Sequence, residues 1–206
     1  MKTERMVLGL LHTNCYIVYN EDTMDAMLID PATHADKIIA KIEALGVKIK
    51  YIILTHAHSD HLCALDKLAE YTGAEICIGS EEEDALNNSE LNLCNYFRTS
   101  SPVTTADILL KDGDCLKLGE EPVEVIFTPG HTKGGISLVY DNCVITGDTL
   151  FAESVGRSDF ATSNTSALMD SIKNKLYLLD DSTVVYPGHG DSTTIGHEKV
   201  NNPFVW

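Results

Sequence analysis

The chain has 206 residues, 44% of them hydrophobic and 22% charged, which suits one globular domain able to bury roughly 70% of its unfolded surface. Its formal charge of −16, from 15 Lys and Arg against 31 Asp and Glu, repels phosphate backbones and anionic membranes and argues against nucleic acid as a partner. No apolar run approaches the ~20 residues of a membrane span, and the opening MKTERMVLGLLHTNC lacks the long apolar region and cleavage site of a signal peptide.

Along the chain, Met6–Leu11, Cys15–Tyr19 and Ala26–Ile29 are short apolar runs between turn residues and read as an antiparallel meander. From Ala32 to Gly46 the apolar residues Ile38, Ile39, Ile42 and Leu45 recur at helical spacing, and Gly46 stops the pattern. A fully apolar strand follows at Tyr51–Leu54. Asp60–Tyr71 reads as a helix with Leu62, Leu65 and Leu68 as its stripe, and Glu75–Ile78 as a strand. Residues 81–112 are polar with a weak helical pattern, a loop-rich excursion that serves either as a lid or as a plain surface connection. Strands resume at Cys115–Leu118, Val123–Thr128, Ile136–Tyr140, Cys143–Thr146 and Thr183–Tyr186. Helices are expected at Thr165–Leu179 and Ile195–Asn201. Strand–strand–helix stretches in both halves imply two sheets packed face to face with helices outside, an α/β (α+β) architecture in a single domain over residues 1–206.

The six cysteines form no C-x-x-C pair, and several sit in apolar runs (CYIVY, EICIG, NCVITG), where a free thiol behaves as a small hydrophobe. That usage fits a reducing cytoplasm better than a secreted disulfide scaffold.

Four apolar strands end in residues of one kind. YIILT runs into His56-Ala57-His58-Ser59-Asp60-His61, VEVIFTPG into His131, NCVITG into Asp148 and TVVYPG into His189. Five of the eight histidines fall in these segments, so their placement is not scattered. In an extended segment, residues two apart point to the same side, so His56 and His58 can grip one ion together. Asp60 and His61 open the following helix and turn toward a neighbouring position. Singly, His131, Asp148 and His189 would each be read as turn residues. Beside the H-x-H-x-D-H cluster they read as ligands, because close-packed His and Asp on a loop are hard to justify without a cation. Seven His and Asp donors without a thiolate suit two divalent ions, zinc first, with iron or manganese as alternatives.

The segments T-H-A-H-S-D-H (55–61), T-P-G-H-T (128–132), T-G-D-T-L-F (146–151) and Y-P-G-H-G (186–190) resemble the ordered motifs of the metallo-β-lactamase superfamily. That resemblance spans nearly the whole chain and implies a four-layer αββα sandwich. It implies that His56, His58 and His131 hold one metal, that Asp60, His61 and His189 hold a second, and that Asp148 bridges them. Some β-lactamases of the family carry a Cys ligand where Asp148 stands, so the resemblance points away from antibiotic hydrolysis. Cys63-Ala64 stands where relatives often have two glycines, and both are expected to pack in the helix rather than bind metal.

The resemblance further implies a bridging hydroxide as nucleophile, since coordination lowers the pKa of water from 15.7 to roughly 7. Asp60 and Asp148 are the catalytic carboxylates in that scheme, with Asp60 orienting the attacking water or accepting its proton. The stretch G-D-T-L-F…G-R-S-D-F (147–160) resembles the glyoxalase II, or hydroxyacylglutathione hydrolase, branch. There a basic residue meets the glutathione carboxylate, a role that falls to Arg157, whose guanidinium suits a carboxylate fork to fork. The alternative for Arg157 is a pair with Asp159 or another loop acid. Longer enzymes of the branch append a C-terminal helical domain that contacts glutathione. This chain is expected to lack it and to resemble the short single-domain hydrolases. The expected partner is thus a small-molecule thioester. A single-iron glutathione-persulfide dioxygenase (using His56, His131 and Asp148), a lactone hydrolase and a non-catalytic metal-binding module are the competing readings. A nuclease is disfavoured by the charge.

Overall fold

In the computed structural model, which describes residues 1–205, the first half of the chain builds one six-stranded sheet and the second half another. The first sheet holds β1 (Lys2–Leu8), β2 (Thr13–Tyr19), β3 (Asp25–Ile29), β4 (Lys48–Leu54), β5 (Glu75–Gly79) and β6 (Ile108–Leu110), in that spatial order. β1 to β3 are antiparallel. β3 to β6 are parallel and need crossovers. Those crossovers carry α1 (Ala35–Leu45), α2 (Ser59–Leu62), α3 (Leu65–Thr72), α4 (Glu83–Leu86) and α5 (Cys94–Phe97). The second half contains β7 (Cys115–Leu118), β8 (Glu121–Phe127), β9 (Ile136–Tyr140), β10 (Cys143–Gly147), a small hairpin of β11 (Leu150–Phe151) and β12 (Ser154–Val155), α6 (Thr165–Asn174), β13 (Val184–Pro187), β14 (Thr193–Thr194) and α7 (Ile195–Asn201). Its large sheet runs β14-β13-β10-β9-β8-β7.

Strand alternation sorts the core into three layers of contact. On β2 and β3, Cys15, Ile17, Ala26 and Leu28 face α1 and α3, where Ile38, Ile42, Leu65 and Leu68 meet them. The intervening Tyr16, Val18, Met27 and Ile29 face the opposite sheet and pack with Val123, Val125, Leu138 and Ile145. On the far side, Val144 and Val185 turn outward to Leu168 and Ile172 of α6 and Ile195 of α7. Helix, sheet, sheet and helix therefore stack as an αββα sandwich, because strands buried on both faces need apolar residues at every position.

Most element boundaries moved by only a few residues from those expected. The first strand ends at Leu8 rather than Leu11, because Gly9 turns the chain at φ +72° and leaves Leu10 99% exposed. The helix expected over Asp60–Tyr71 breaks at Cys63-Ala64 into α2 and α3. Cys63 there donates its thiol to the Ser59 carbonyl at 2.8 Å and belongs to no metal-ligating group. The helix expected to reach Leu179 ends at Asn174 and continues after Lys175 as a 3-10 turn. Residues 81–112 form α4, α5, β6 and connecting turns. All six cysteines are free thiols, and among the described residues no helix is long and apolar enough to cross a membrane.

This topology places the site. β10 and β13 are parallel, and β8 runs in their direction because two antiparallel steps separate it from β10. All three therefore end at the same edge. β3 and β4 of the other sheet end there too, tied across by the Ile136 amide donating to the Thr55 carbonyl at 2.9 Å.

Candidate metal centre

Five strand ends converge on this edge, and each delivers a His or Asp. β4 supplies His56 and His58, with His58 extended at φ −71°, ψ 146° before α2 begins. His131 follows β8, Asp148 follows β10 and His189 follows β13; Asp60 and His61 lie on α2. The ring centroids of His56 and His58 lie 4.7 Å apart, and His131 stands 4.8 Å from His56 and 4.7 Å from His58. Nδ1 of His58 and Nε2 of His131 approach to 2.9 Å. In the second group, His189 Nε2 lies 3.2 Å and His61 Nε2 3.5 Å from Asp60 Oδ2. Asp148 stands between the groups. Its Oδ1 is 3.5 Å from His61 Nε2, and its Oδ2 is 3.6 Å from His131 Nε2 and 3.5 Å from His189 Nε2. Within each of the sets His56/His58/His131, His56/His61/Asp148 and Asp60/His61/His189, the ligand atoms lie within 4.8 Å of one another.

The hydrogen bonds behind these rings fix which nitrogen faces inward. His61 donates from Nδ1 to Asp30 Oδ2 at 2.9 Å, His131 from Nδ1 to the Arg157 carbonyl at 2.7 Å, and His189 from Nδ1 to the Leu11 carbonyl at 3.0 Å. The Thr55 hydroxyl donates to Asp30 Oδ2 at 2.7 Å, so its oxygen receives Nδ1 of His56 at 3.1 Å. Four rings thus turn Nδ1 to a partner outside the centre and Nε2 toward it, the arrangement that outer partners impose on metal-bound histidine. The Nε2 atoms of His56 and His61 and Oδ1 of Asp148 are buried without any hydrogen-bond partner. Each such group costs ~1–3 kcal/mol unless something satisfies it. Three orphaned donors aimed at one place, with no sulfur among them, fit a pair of divalent cations.

The local electrostatics divide the rings. Burial and the neighbouring rings press the pKa of His56 well below its ordinary value and that of His58 to about 3, leaving both neutral and able to coordinate. Burial also disfavours charge on His61, but Asp60, Asp148 and Asp30 outweigh it and raise that ring to about 10. Burial works against the Asp60 carboxylate as well. His61, His189 and the Thr13 hydroxyl, which donates to Asp60 Oδ2 at 2.8 Å, nonetheless hold it well below the usual carboxylate range.

All seven ligand residues read from the sequence are brought together here. Arg157 sits at the rim. Its guanidinium makes a two-pronged pair with Asp159 at 3.0 and 2.9 Å and lies 4.5 Å over the Phe160 ring. Phe160 in turn packs edge-on against His58 at 4.9 Å and His131 at 5.5 Å. Sequence reasoning missed Asp30, Thr55, Thr13, Glu82 and Phe160. Asp30 follows β3 just before Pro31, so it reads as a turn residue, although it shares the strand-end position of the ligands. Glu82 is 1% exposed and accepts the amides of Ala57 at 3.1 Å and Gly134 at 2.9 Å, tying the loop between His56 and His58 to the segment after His131. Gly188 is required by close approach: a Cβ there would strike Asp148 Oδ1 and come within 2.9 Å of His61 Cε1.

Comparison with known proteins adds three findings. A family model for the metallo-beta-lactamase superfamily matches residues 8–189. The hydroxyacylglutathione hydrolase GloC of Haemophilus influenzae is 34% identical over 213 residues, covering 100% of this chain and 98% of that protein. Among solved structures, the BLEG-1 B3 metallo-beta-lactamase superposes with a TM-score of 0.94 at 33% identity, covering 99% of each chain. TTHA1623 in a di-iron-bound form superposes at 0.88 with 31% identity, covering 98% of this chain and 100% of that one.

Proposed function

The chain belongs to the metallo-β-lactamase superfamily of metallo-hydrolases, and on that premise we propose that it hydrolyses thioesters of small carboxylate-bearing thiols, such as S-hydroxyacylglutathione. The observation that carries the reading is the set of three linked His and Asp triads, with Nε2 of His56 and His61 and Oδ1 of Asp148 buried at the centre without a hydrogen-bond partner. The likeness to a hydroxyacylglutathione hydrolase of the same length supports the thioester class.

His56, His58 and His131 would hold one ion, Asp60, His61 and His189 the other, and Asp148 both. Zinc is the first choice, and the di-iron neighbour keeps iron beside it. Bound there, the metal pair supplies an acidified water as nucleophile and a Lewis acid for the carbonyl. The chain's own residues do the rest. Asp60, pinned by Thr13 and held ionised, orients the attacking water. The Asp30 and Thr55 hydrogen bonds lock His61 and His56 in the tautomers the site needs. Arg157 sits at the rim beside Phe160, where a carboxylate on the thiol would compete with Asp159 for the guanidinium.

The test is thiol release from S-lactoylglutathione by zinc-loaded protein, with Asp148→Ala as the blank. Asp148-dependent turnover well above that of a β-lactam and a lactone supports the proposal. Faster hydrolysis of either rival substrate overturns it, as does oxygen uptake on glutathione persulfide by iron-loaded protein without thioester cleavage.

A further inference from the structure

A cavity of about 470 Å³ opens between the β1–β2 turn and α5, directly beside the metal centre. Leu8, Leu10 and Leu11 line it on one side and Phe97 on the other, with Thr33 and Cys63 between. Leu10, Leu11 and Phe97 are 99%, 46% and 40% exposed, so they contribute little to the core. Thr13 and Asp60 form part of the same wall, and their side chains are joined by the 2.8 Å hydrogen bond already described. The cavity therefore reaches Asp60 of the Asp60/His61/His189 triad. Arg157 and Phe160 lie elsewhere, with Phe160 packed against His58 and His131 of the other triad. A substrate carbonyl at Asp148 would thus have a cationic, aromatic rim on one side and an apolar cavity on the other.

We propose that this cavity receives the acyl chain of the substrate, and that the chain is linear, apolar and longer than lactoyl; the inference rests on the thioester reading above. The size supports it. At roughly 30 Å³ per water-sized group, the cavity takes on the order of 15 non-hydrogen atoms, and a lactoyl group would leave most of it empty. Thr13, Thr33, His34, Ser59, Asp60 and Thr99 also line the cavity, but most of the surface turned into it is apolar and favours each buried methylene. The Arg157 rim is left for the thiol portion, so the two halves of the substrate are recognised by different chemistry.

The experiment measures kcat/KM of zinc-loaded protein for the S-acetyl, S-butyryl, S-hexanoyl and S-octanoyl thioesters of glutathione. In parallel, calorimetry compares octanoate with acetate as ligands, which needs no turnover. The expected result is a rise of up to about fourfold per methylene, mirrored in tighter octanoate binding. Thr33→Phe, which fills the cavity, and Leu11→Asp, which charges its wall at an exposed turn, should both collapse the octanoyl-to-acetyl ratio. Reading a ratio within each variant cancels differences in metal content, and either variant suffices if the other folds poorly. If no thioester is cleaved but octanoate binds more tightly than acetate and Thr33→Phe removes the difference, hydrolysis of thioesters fails while the cavity assignment stands. A flat chain-length series in both cleavage and binding overturns the assignment.

Discussion

Asp30 and His61 are joined by a buried 2.9 Å hydrogen bond from Nδ1 to Oδ2, and the same carboxylate takes the Thr55 hydroxyl at 2.7 Å and the Thr55 amide at 2.8 Å. Through Thr55 it reaches His56, so one residue with no place in the ligand set orients two ligand rings. Asp30→Ala should therefore lower metal affinity ~10- to 100-fold. Asp30 also sits at φ +50°, which Asn tolerates better than Ala. Asp30→Asn should keep a melting temperature closer to wild type than Asp30→Ala while still binding metal more weakly, as chelator competition would report. Unchanged affinity in Asp30→Ala would remove the orienting role.

Two glycines in one motif should behave differently. Gly188→Ala drives a methyl into Asp148 and His61, so metal content should fall and kcat/KM drop on the order of 10²-fold. Gly190→Ala meets nothing within 4 Å but must hold φ +77°. It should cost stability by about 1 kcal/mol and leave the metal content intact. Metal analysis and thermal melts on the two variants make the comparison.

Chelation should destabilise the protein and change its pH response. A metal at 100 times its Kd contributes about 2.7 kcal/mol, worth roughly 5–10 °C of melting temperature in a chain of this size. In the metal-free protein the three carboxylates raise His61 from 6.5 to about 10 despite burial. A raised folded pKa contributes stability that is complete below 6.5 and is lost as pH rises through about 10. The chelated protein should therefore lose stability across that window while the zinc form does not. Zinc added to it at neutral pH should release protons, measured with an indicator in weak buffer.

Glu82 offers a second pH signature. Burial raises its pKa above 4.5, although the Thr132 hydroxyl and the Gly134 and Ala57 amides pull the other way. The folded state then binds the proton more tightly, so this carboxyl stabilises the fold most below 4.5 and less as pH climbs past its folded value. The stability difference between wild type and Glu82→Gln should shrink with rising pH. Denaturant midpoints at pH 4.5 and 7.5 test the sign, and a difference that grows would refute it.

At the rim, Asp159 competes with any substrate carboxylate for Arg157. Arg157→Met should raise KM for S-lactoylglutathione about tenfold with kcat little changed, the mark of lost uniform binding. Asp159→Asn should lower KM severalfold by freeing the guanidinium. If both substitutions leave KM unmoved, the role of Arg157 is confined to its backbone carbonyl, which holds His131.

The cluster of candidate ligands and the layered fold were legible in the sequence because both follow from local order. Short apolar runs between turn residues mark strands, and a ligand-type residue at the end of four of them marks the shared edge. Cys15 and Tyr16 could be assigned to a strand from their neighbours alone, but only the packed sheets show that one faces the helices and the other the opposite sheet. Asp30, 31 residues before His61, looked like a turn acid because hydrogen bonding across that separation leaves no periodic trace. The same holds for Glu82, which is bonded to backbone amides on two different loops. Arg157 was visible as a cation, yet its partner depended on a loop conformation the sequence does not encode in its spacing. The acyl cavity is the extreme case. Leu10 and Phe97 lie 87 positions apart, and a cavity lined by both exists only once the chain has brought such surfaces together, so tertiary structure alone decides it.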